Sequence, residues 1–404
     1  MSHPALADGP IYLDYNATTP VDPAVLRAAL PYLTTHFGNP SSGHRYAQAP
    51  GEAVARARAQ LAGLLGARPE EIVFTGGGSE ADSLAVRGAV RARTGENTGE
   101  DTGEPARRQL ITLATEHPAV LRACQSLERD GFAVRLLPVD ARGRVDPADL
   151  EEALGQDTAL VSIAYGNSET GTLQPIAELA ALARRAGALF HTDAAQAVAK
   201  VPIDVRELGV DLLTVVGHKM YAPKGVGALY VRDGVPLVPV IDGGGQEGGR
   251  RAGTENVAFI AALGAAAELA RQDLPETLAR LSGLRDLLHG ELRRLLPGRV
   301  HLNGHPVERL PGTLNVSIDG IDGRGLLAAV PEIAAATGSA CHEGVPEPSP
   351  VLLAMGLSAE RADGALRLSL GRWSTEAEAR RAAELIAHAA TSASRREAEG
   401  AVRP

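Results

Sequence analysis

The fold is indicated most clearly by residues 189–231, which read LFHTDAAQAVAKVPIDVRELGVDLLTVVGHKMYAPKGVGALYV. Three apolar runs in this stretch have the length of β-strands, namely Leu189–Thr192, Leu212–Val216 and Ala228–Val231. Strands that are apolar on both faces are typical of sheets covered by helices on both sides. The stretch therefore predicts the centre of a buried, mostly parallel sheet in an α/β protein.

The alternation of strands and helices continues on both sides of this stretch. Upstream, strands are predicted at Glu71–Phe74, Gln109–Thr115, Val134–Val139 and Leu160–Tyr165, and helices at Ser79–Arg93, Pro118–Arg129 and Ile176–Ala186. Downstream, a nearly continuous helix over Asn256–Leu296 precedes strands at Thr313–Ile318 and Leu366–Leu370 and helices at Arg324–Val330 and Glu376–Ala390. We expect a large α/β domain of residues 21–270 and a small α+β domain of residues 1–20 and 271–404.

Composition argues against several partners and locations. The 404 residues carry a net charge of −9 without a basic run, so nucleic acid and anionic membrane are poor partners. The first residues, MSHPALADGP, do not resemble a secretory signal, and no apolar run has the length of a membrane span. The two cysteines provide no disulfide framework, so a cytoplasmic location is expected. No metal site is expected either.

Two motifs are each compatible with a ligand site or with an ordinary turn. Residues 73–82, VFTGGGSEAD, pass from a strand through glycines into a helix, whose first N–H groups can bind an anion. A tight turn capped by Ser79 explains the same residues equally well. Asp193 follows a strand at the edge where α/β proteins bind ligands, although it could also cap a helix.

The chain contains only three lysines, so chemistry that needs an amine has few candidates. Lys219 directly follows a buried strand, where desolvation lowers the pKa of a lysine and frees its nucleophilic amine. Lys200 and Lys224 are interpreted as solvated turn residues. An aspartate followed about one βα unit later by a lysine suits pyridoxal phosphate. The lysine binds the aldehyde, and Asp193 keeps the pyridine nitrogen protonated.

Eight motifs occur in order along the chain. They are YLDYNATTP (12–20), FGNPSSGHRY (37–46), TEHPAV (115–120), HTDAAQ (191–196), VGHKMYAPKGVGALYV (216–231), GGGQEGGRRAGTEN (243–256), GSACH (338–342) and LRLSLGR (366–372). In these motifs the chain resembles the cysteine desulfurase and selenocysteine lyase family of class V, fold-type-I pyridoxal-phosphate enzymes. The resemblance extends from about Ile11 to Thr375. It implies the fold-type-I architecture, with a seven-stranded sheet in the large domain.

The resemblance also implies how the cofactor is held. Lys219 would bind it covalently, and Asp193 would contact its pyridine nitrogen. Gln196 would contact its phenolic oxygen, while His117 would stack on the ring and move protons. The residues that would hold the phosphate are Gly78, Ser79 and His218.

Further implied roles concern the substrate and a second subunit. Arg367 would clamp the substrate carboxylate through its planar fork. The residues that would line the substrate entrance are Asn16, Ala17 and Thr18. Thr254 would reach the cofactor phosphate of a neighbouring subunit, which implies a homodimer with shared active sites.

The two cysteines are interpreted differently. Cys124 lies within a predicted amphipathic helix and is assigned as a small buried residue. Cys341 is flanked by glycines and prolines, which favour an exposed loop and a reactive thiol. In the family that the chain resembles, this position carries the persulfide, and His342 could lower the thiol pKa.

The chain departs from the family pattern at three positions of the cofactor site. Ser168 replaces an asparagine that would contact the phenolic oxygen and the substrate. Val216 stands where many members have a phosphate-binding serine, and Ser79 stands for the more common threonine. Val216 is also similar to the residue found in mammalian selenocysteine lyases.

The expected activity is conversion of L-cysteine to L-alanine by a pyridoxal-phosphate-dependent transferase, with sulfur left on Cys341 as a persulfide. Three alternatives remain open: a selenocysteine lyase acting on L-selenocysteine, a class V aminotransferase, and a non-catalytic partner in sulfur transfer. A protein sulfur acceptor is expected. It could be an iron–sulfur scaffold, a tRNA thiolation enzyme or a DNA-modification partner.

Overall fold

The computed structural model describes residues 3–94, 107–338 and 348–401. Its strands are β1 (Ile11–Tyr12), β2 (Ile72–Thr75), β3 (Gln109–Leu113), β4 (Ala133–Leu137), β5 (Thr158–Ser162), β6 (Leu189–Asp193), β7 (Leu212–Val216), β8 (Gly227–Val231), β9 (Val300–Leu302), β10 (Thr313–Ile318), β11 (Ile333–Ala334) and β12 (Ala365–Ser369). Every strand predicted from the sequence is present, with ends shifted by at most two residues in most cases.

The α-helices include all those predicted. They are α1 (Pro23–Thr34), α2 (Arg45–Leu65), α3 (Gly78–Ser83), α4 (Ala89–Arg93), α5 (Pro118–Arg129), α6 (Pro147–Ala153), α7 (Ile176–Arg185), α8 (Val205–Leu208), α9 (Val257–Leu295), α10 (Gly323–Ala328), α11 (Pro350–Ala354), α12 (Ala359–Asp363) and α13 (Glu376–Ala401). A π-helical turn, Leu84–Gly88, joins α3 to α4, so the predicted helix Ser79–Arg93 is continuous but irregular. Among the residues described, none of these helices is long and apolar enough to cross a membrane.

The large sheet has seven strands in the order β2-β8-β7-β6-β5-β3-β4. Strands β3 to β7 run parallel to one another, whereas β8 is antiparallel to both β7 and β2. The link from Val216 to Gly227 is too short for the helical crossover that a parallel pair requires, so the chain must reverse. The mostly parallel seven-stranded sheet predicted from the sequence is confirmed.

Two of the four groups of buried apolar residues in the described part of the chain show how the chain divides. One packs on one face of the large sheet and includes residues from Val25 to Ala267. The other contains Leu13 together with buried residues of α9, β10, β12 and α13, from Leu281 to Ala390. Helix α9 contributes its first half to one group and its second half to the other.

The second group of buried residues is organised around a small antiparallel sheet in the order β12-β10-β9. Strand β1 near the N-terminus pairs in parallel with β11. Leu13 is fully buried in this second core. The N-terminal strand therefore packs with the C-terminal part of the chain, and it brings residues 14–19 to the edge of the large sheet.

Candidate functional site

A cavity of about 500 Å³ opens at the carboxyl ends of the parallel strands. Residues that follow β2, β3, β5, β6 and β7 line it, as do Arg367 on β12 and residues next to β1. The site residues predicted from the sequence that line this cavity are Asn16, Ala17, Gly78, Ser79, His117, Ser168, Asp193, Gln196, His218, Lys219 and Arg367. Ligands of open α/β sheets bind at this edge because connecting loops from several strands converge there.

Lys219 lies on a 3₁₀ turn, Gly217–Lys219, directly after the buried strand β7. Its Nζ donates hydrogen bonds to the backbone carbonyl of Ala17 at 2.9 Å and to that of Asn16. The strand fixes the position of the backbone from which this side chain extends. The geometry thus presents one amine to the cavity.

Asp193 ends β6 and is 7% exposed. Its Oδ1 accepts a hydrogen bond of 2.8 Å from the Ala195 N–H. Burial raises the pKa of Asp193, while the neighbouring His117 and Lys219 oppose this effect. A cationic group placed against Asp193 would therefore restore the charged carboxylate that the protein alone disfavours.

Two further acidic side chains of the cavity wall were not identified from the sequence. Burial raises the pKa of Asp82 and of Glu116 well above the usual value. Within the described residues, Asp82 Oδ1 and Glu116 Oε2 are buried and lack a hydrogen-bond partner. No local signal distinguishes them from solvated acids, because their burial results from long-range packing.

His117 caps the N-terminus of α5. Its Nδ1 accepts a hydrogen bond of 3.2 Å from the Ala119 N–H, so this nitrogen carries no proton in that geometry. The ring nitrogen that can carry a proton is then Nε2. The histidine lines the cavity next to Asp193 and is suited to proton transfer.

The glycine turn before α3 leaves little space at Gly78. A Cβ atom at this position would lie 2.6 Å from Val216 Cγ2, which also lines the cavity. The first two residues of α3, Gly78 and Ser79, line the cavity, and the backbone N–H groups of such a first turn have no partner within the helix. Such a start with an unobstructed backbone suits an anionic group.

His218 is held by contacts with the N-terminal segment. Its Nδ1 lies 3.1 Å from Thr18 Oγ1, and its carbonyl accepts a hydrogen bond of 3.0 Å from the Thr19 N–H. Burial, followed by the charge of Lys219, lowers the pKa of His218 to about 4, so the ring is neutral at pH 7. Thr18 contacts His218 and does not appear in the cavity wall, unlike Asn16 and Ala17.

Arg367 is 1% exposed, and its position depends on residues far away in sequence. Its Nη2 donates a hydrogen bond of 2.7 Å to Asp14 Oδ1, and its Nη1 lies 3.5 Å from the Ser168 carbonyl oxygen. The same carbonyl accepts a hydrogen bond of 3.2 Å from Asn16 Nδ2. Asp14 was not identified from the sequence, although it lies within the quoted motif at 12–20.

Two predicted site residues that the structure describes, Thr18 and Thr254, are not in the cavity wall. Thr254 is exposed in the loop before α9. Cys341 lies outside the described residues. Described residues on both sides of it approach Glu169 in the cavity wall. Glu169 Oε2 lies 3.3 Å from the ideal Cβ position at Gly338 and accepts a hydrogen bond of 2.5 Å from Ser349 Oγ.

Lys200 is not a solvated turn residue, and that interpretation was wrong. Its Nζ donates to Gln196 Oε1 at 2.5 Å and to Asn16 Oδ1 at 3.4 Å. Lys224 is exposed, as predicted. The sequence around Lys200 lacks the strand that marks Lys219, so only the tertiary structure shows that it approaches the site.

The cavity fits pyridoxal phosphate on three observations. A buried carboxylate, Asp193, can hold a protonated ring nitrogen. The N-terminus of α3, where Val216 leaves no room for a side chain at Gly78, can hold a phosphate. An amine, Lys219, lines the same cavity. Buried Cys124, whose pKa burial raises to about 12, lies outside the cavity wall and behaves as the predicted packing residue.

Comparisons with known proteins agree with this geometry. The Aminotransferase class-V family profile matches residues 11–381. Cysteine desulfurase 2 of Trichormus variabilis (strain ATCC 29413 / PCC 7937) is 46% identical over 378 residues, covering 93% of this chain and 92% of that protein. Cysteine desulfurase IscS of Anaeromyxobacter dehalogenans (strain 2CP-C) is 47% identical over 372 residues, covering 91% and 89%.

Solved structures show the same likeness. A NifS-like protein superposes with a TM-score of 0.84 at 35% identity, covering 94% of this chain and 98% of that one. The structure described as SspA in complex with cysteine gives a TM-score of 0.78 at 36% identity, covering 90% and 99%.

Proposed function

Because the chain belongs to the class-V aminotransferase family and is a pyridoxal-phosphate-dependent cysteine desulfurase, we propose that Lys219 carries the cofactor and that Cys341 receives the sulfur. The observation that carries the assignment of Lys219 is its position in one cavity with Asp193 and Arg367. An amine, a buried carboxylate and a buried guanidinium that line one cavity support the binding of a single ligand by all three.

In this proposal, six residues of the same chain hold the cofactor in addition to Lys219. Asp193 holds the ring nitrogen and His117 packs on the ring. Gln196 donates to the phenolic oxygen. The phosphate-binding residues are Gly78, Ser79 and His218. The cofactor supplies an electron sink for the substrate carbon skeleton.

The substrate is held and oriented by the chain's own side chains. Arg367 binds the carboxylate of L-cysteine, and Asp14 and the Ser168 carbonyl keep its guanidinium in place. The entrance residues are Asn16, Ala17 and Thr18, of which Thr18 acts through His218. Lys219 takes the α-proton, and His117 donates or accepts protons at Nε2.

Sulfur transfer requires a thiolate that can approach the substrate. The Cys341 thiolate attacks the substrate sulfur, the new S–S bond forms, and the C–S bond breaks. Protonation of the carbon gives L-alanine, and the enzyme retains a persulfide, so one cysteine yields one alanine and one persulfide. Cys341 is three positions after Gly338, and three steps along the chain limit the distance between their Cα atoms to roughly 11 Å. Gly338 lies beside the cavity residue Glu169, and this proximity supports the assignment.

We also propose that the chain works as a cytoplasmic homodimer. Thr254 is exposed and lies apart from the cavity wall of its own chain. That position supports a role for Thr254 at the phosphate of a neighbouring subunit. The persulfide is delivered to a protein acceptor, and we propose an iron–sulfur cluster scaffold as that acceptor.

The proposed division into domains follows the two groups of buried residues. Residues 21–270 form the domain that binds the cofactor, and residues 1–20 with 271–404 form the small domain that carries Cys341. The burial of Leu13 with residues 281–390 supports this division. Helix α9 then links the two domains.

One experiment tests the proposed chemistry. The purified chain, loaded with pyridoxal phosphate, is mixed with one equivalent of L-cysteine, and L-alanine and alkylated persulfide are measured. We expect equal amounts of alanine and of persulfide on Cys341, with L-selenocysteine run in parallel. Alanine without persulfide on Cys341, or persulfide on Cys124, contradicts the proposal.

A further inference from the structure

Lys200 lies beside two residues of the active-site wall, although it belongs to neither the predicted nor the proposed catalytic set. Its ammonium donates to the side-chain oxygens of Gln196 and Asn16, at 2.5 and 3.4 Å. Ala199, immediately before it, has a left-handed backbone with φ of 63°. This conformation is unfavourable for alanine and persists because the surrounding structure fixes the turn.

The contact with Lys200 determines which way the Gln196 amide points. An ammonium group can only donate hydrogen bonds, so the group facing Lys200 must be Oε1. A backbone carbonyl can only accept, so the group facing the Asn16 carbonyl at 2.9 Å must be Nε2. The two constraints agree, and together they fix the amide in one of its two orientations.

The environment of Lys200 is cationic. Both acceptors of its hydrogen bonds are uncharged amide oxygens, so these bonds do not neutralise the ammonium. Burial, and then the charges of Lys219 and Arg367, lower the pKa of Lys200 to about 7. Lys200 in turn acts on the neighbouring His218, lowering its pKa together with the two other lysines. At pH 7 about half of the molecules then carry the charged form of Lys200, and in that form the positive charge behind Gln196 suits an anionic oxygen in front of it.

We propose that Lys200 is a positioning residue that holds the Gln196 amide with its N–H side, rather than its oxygen, toward the phenolic oxygen of the cofactor. This inference rests on the proposed function. Lys200 acts through Gln196 and does not touch the cofactor. Without Lys200 the amide can rotate, since a terminal amide torsion is soft and roughly two-fold. The amide oxygen would then face an anionic oxygen.

The test compares Lys200→Met and Lys200→Arg with the matched control Lys224→Met, which changes an exposed lysine. Two quantities are measured: the Kd of pyridoxal phosphate for the cofactor-free protein, and the pH midpoint of the absorbance change of the bound cofactor. Lys200→Met should raise Kd roughly 2- to 10-fold, the effect of one hydrogen bond. The midpoint should rise by roughly half to one pH unit, because a donor at the phenolic oxygen favours the deprotonated form.

The arginine variant and the control show whether the change in Kd and in the pH midpoint is specific to loss of the cationic donor at Lys200. Lys200→Arg keeps a cationic donor and should restore most of both properties, and Lys224→Met should match the native protein. If Lys200→Met does not fold, as judged by circular dichroism, Lys200→Gln takes its place.

A double-variant cycle tests whether Lys200 acts through Gln196. In a Gln196→Met background, Lys200→Met should cause no further change in Kd or midpoint. Additive effects, or native values in Lys200→Met, would overturn the inference while leaving the proposed function intact. A native chain that neither binds the cofactor nor releases alanine from L-cysteine would instead overturn both.

Discussion

Replacing Gly78 with alanine tests whether the start of α3 and Val216 together shape the cofactor site. The added Cβ would lie 2.6 Å from Val216 Cγ2, whereas carbon atoms in contact normally lie about 3.5–4.0 Å apart. Val216 is 6% exposed and β-branched, so its side chain has few alternative rotamers. The overlap must therefore move either the helix start or Val216, and both line the cavity.

The expected magnitude follows from this overlap. Forcing one extra carbon into a well-packed site costs about 1–3 kcal/mol. If the strain is released by displacing the helix start, the Kd of pyridoxal phosphate rises roughly 5- to 150-fold. The Kd is measured by absorbance titration of the cofactor-free protein, with the thermal midpoint of unfolding recorded for each variant.

Two further variants separate the steric overlap with Val216 from the general effect of a glycine-to-alanine change in a helix. Gly63→Ala is the matched control, because it lies in helix α2 and its added Cβ meets no atom within 4 Å. It should leave Kd unchanged and stabilise the helix by at most about 1 kcal/mol. In a Val216→Ala background, which removes Cγ2, Gly78→Ala should barely change Kd. Native affinity in Gly78→Ala, or an equal loss in the Val216→Ala background, would refute the steric argument.

Three other changes have defined outcomes. Lys219→Ala should abolish the absorption band of the bound cofactor and all turnover, whereas Lys224→Ala should retain both; borohydride fixing the cofactor to Lys224 would contradict the assignment. Cys341→Ser should keep the cofactor and bind L-cysteine but form almost no persulfide, because a hydroxyl is a poor sulfur acceptor; full activity, or transfer to Cys124, would disprove it. Ala199→Gly should stabilise the chain by about 0.5 kcal/mol in urea unfolding. The left-handed backbone costs alanine roughly 1–2 kcal/mol, and the greater freedom of unfolded glycine offsets part of the gain. A loss of stability would show that the alanine methyl contributes more by packing.

Sequence reasoning missed helices α1 and α2. Helix α2 contains Pro50 followed by Gly51, a pair that normally signals a turn, and its mean hydropathy gives little indication of burial. The helix forms because its buried face, with Ala53, Ala57 and Leu61, packs against α9. Tertiary packing here overrides local propensity.

The sequence by itself determined the large sheet and the position of Lys219. Buried strands such as Leu212–Val216 are continuous apolar runs, and a residue that follows such a run must emerge at the sheet edge. Each such pattern lies within one short segment, so it can be read from the sequence alone. The motifs that resemble the cysteine desulfurase family likewise lie within single segments, and they indicated the class of cofactor and of substrate.

Only the tertiary structure decided which distant side chains complete the site. Asp14 and Arg367 are 353 positions apart yet form a partly buried ion pair, because β1 packs beside the C-terminal strands. Lys200 approaches Asn16 for a related reason, although nothing in its local sequence distinguishes it from an exposed turn lysine. The pKa of a buried group likewise depends on desolvation and on charges brought near by folding. These properties arise from contacts between distant segments, which a pattern within one segment does not encode.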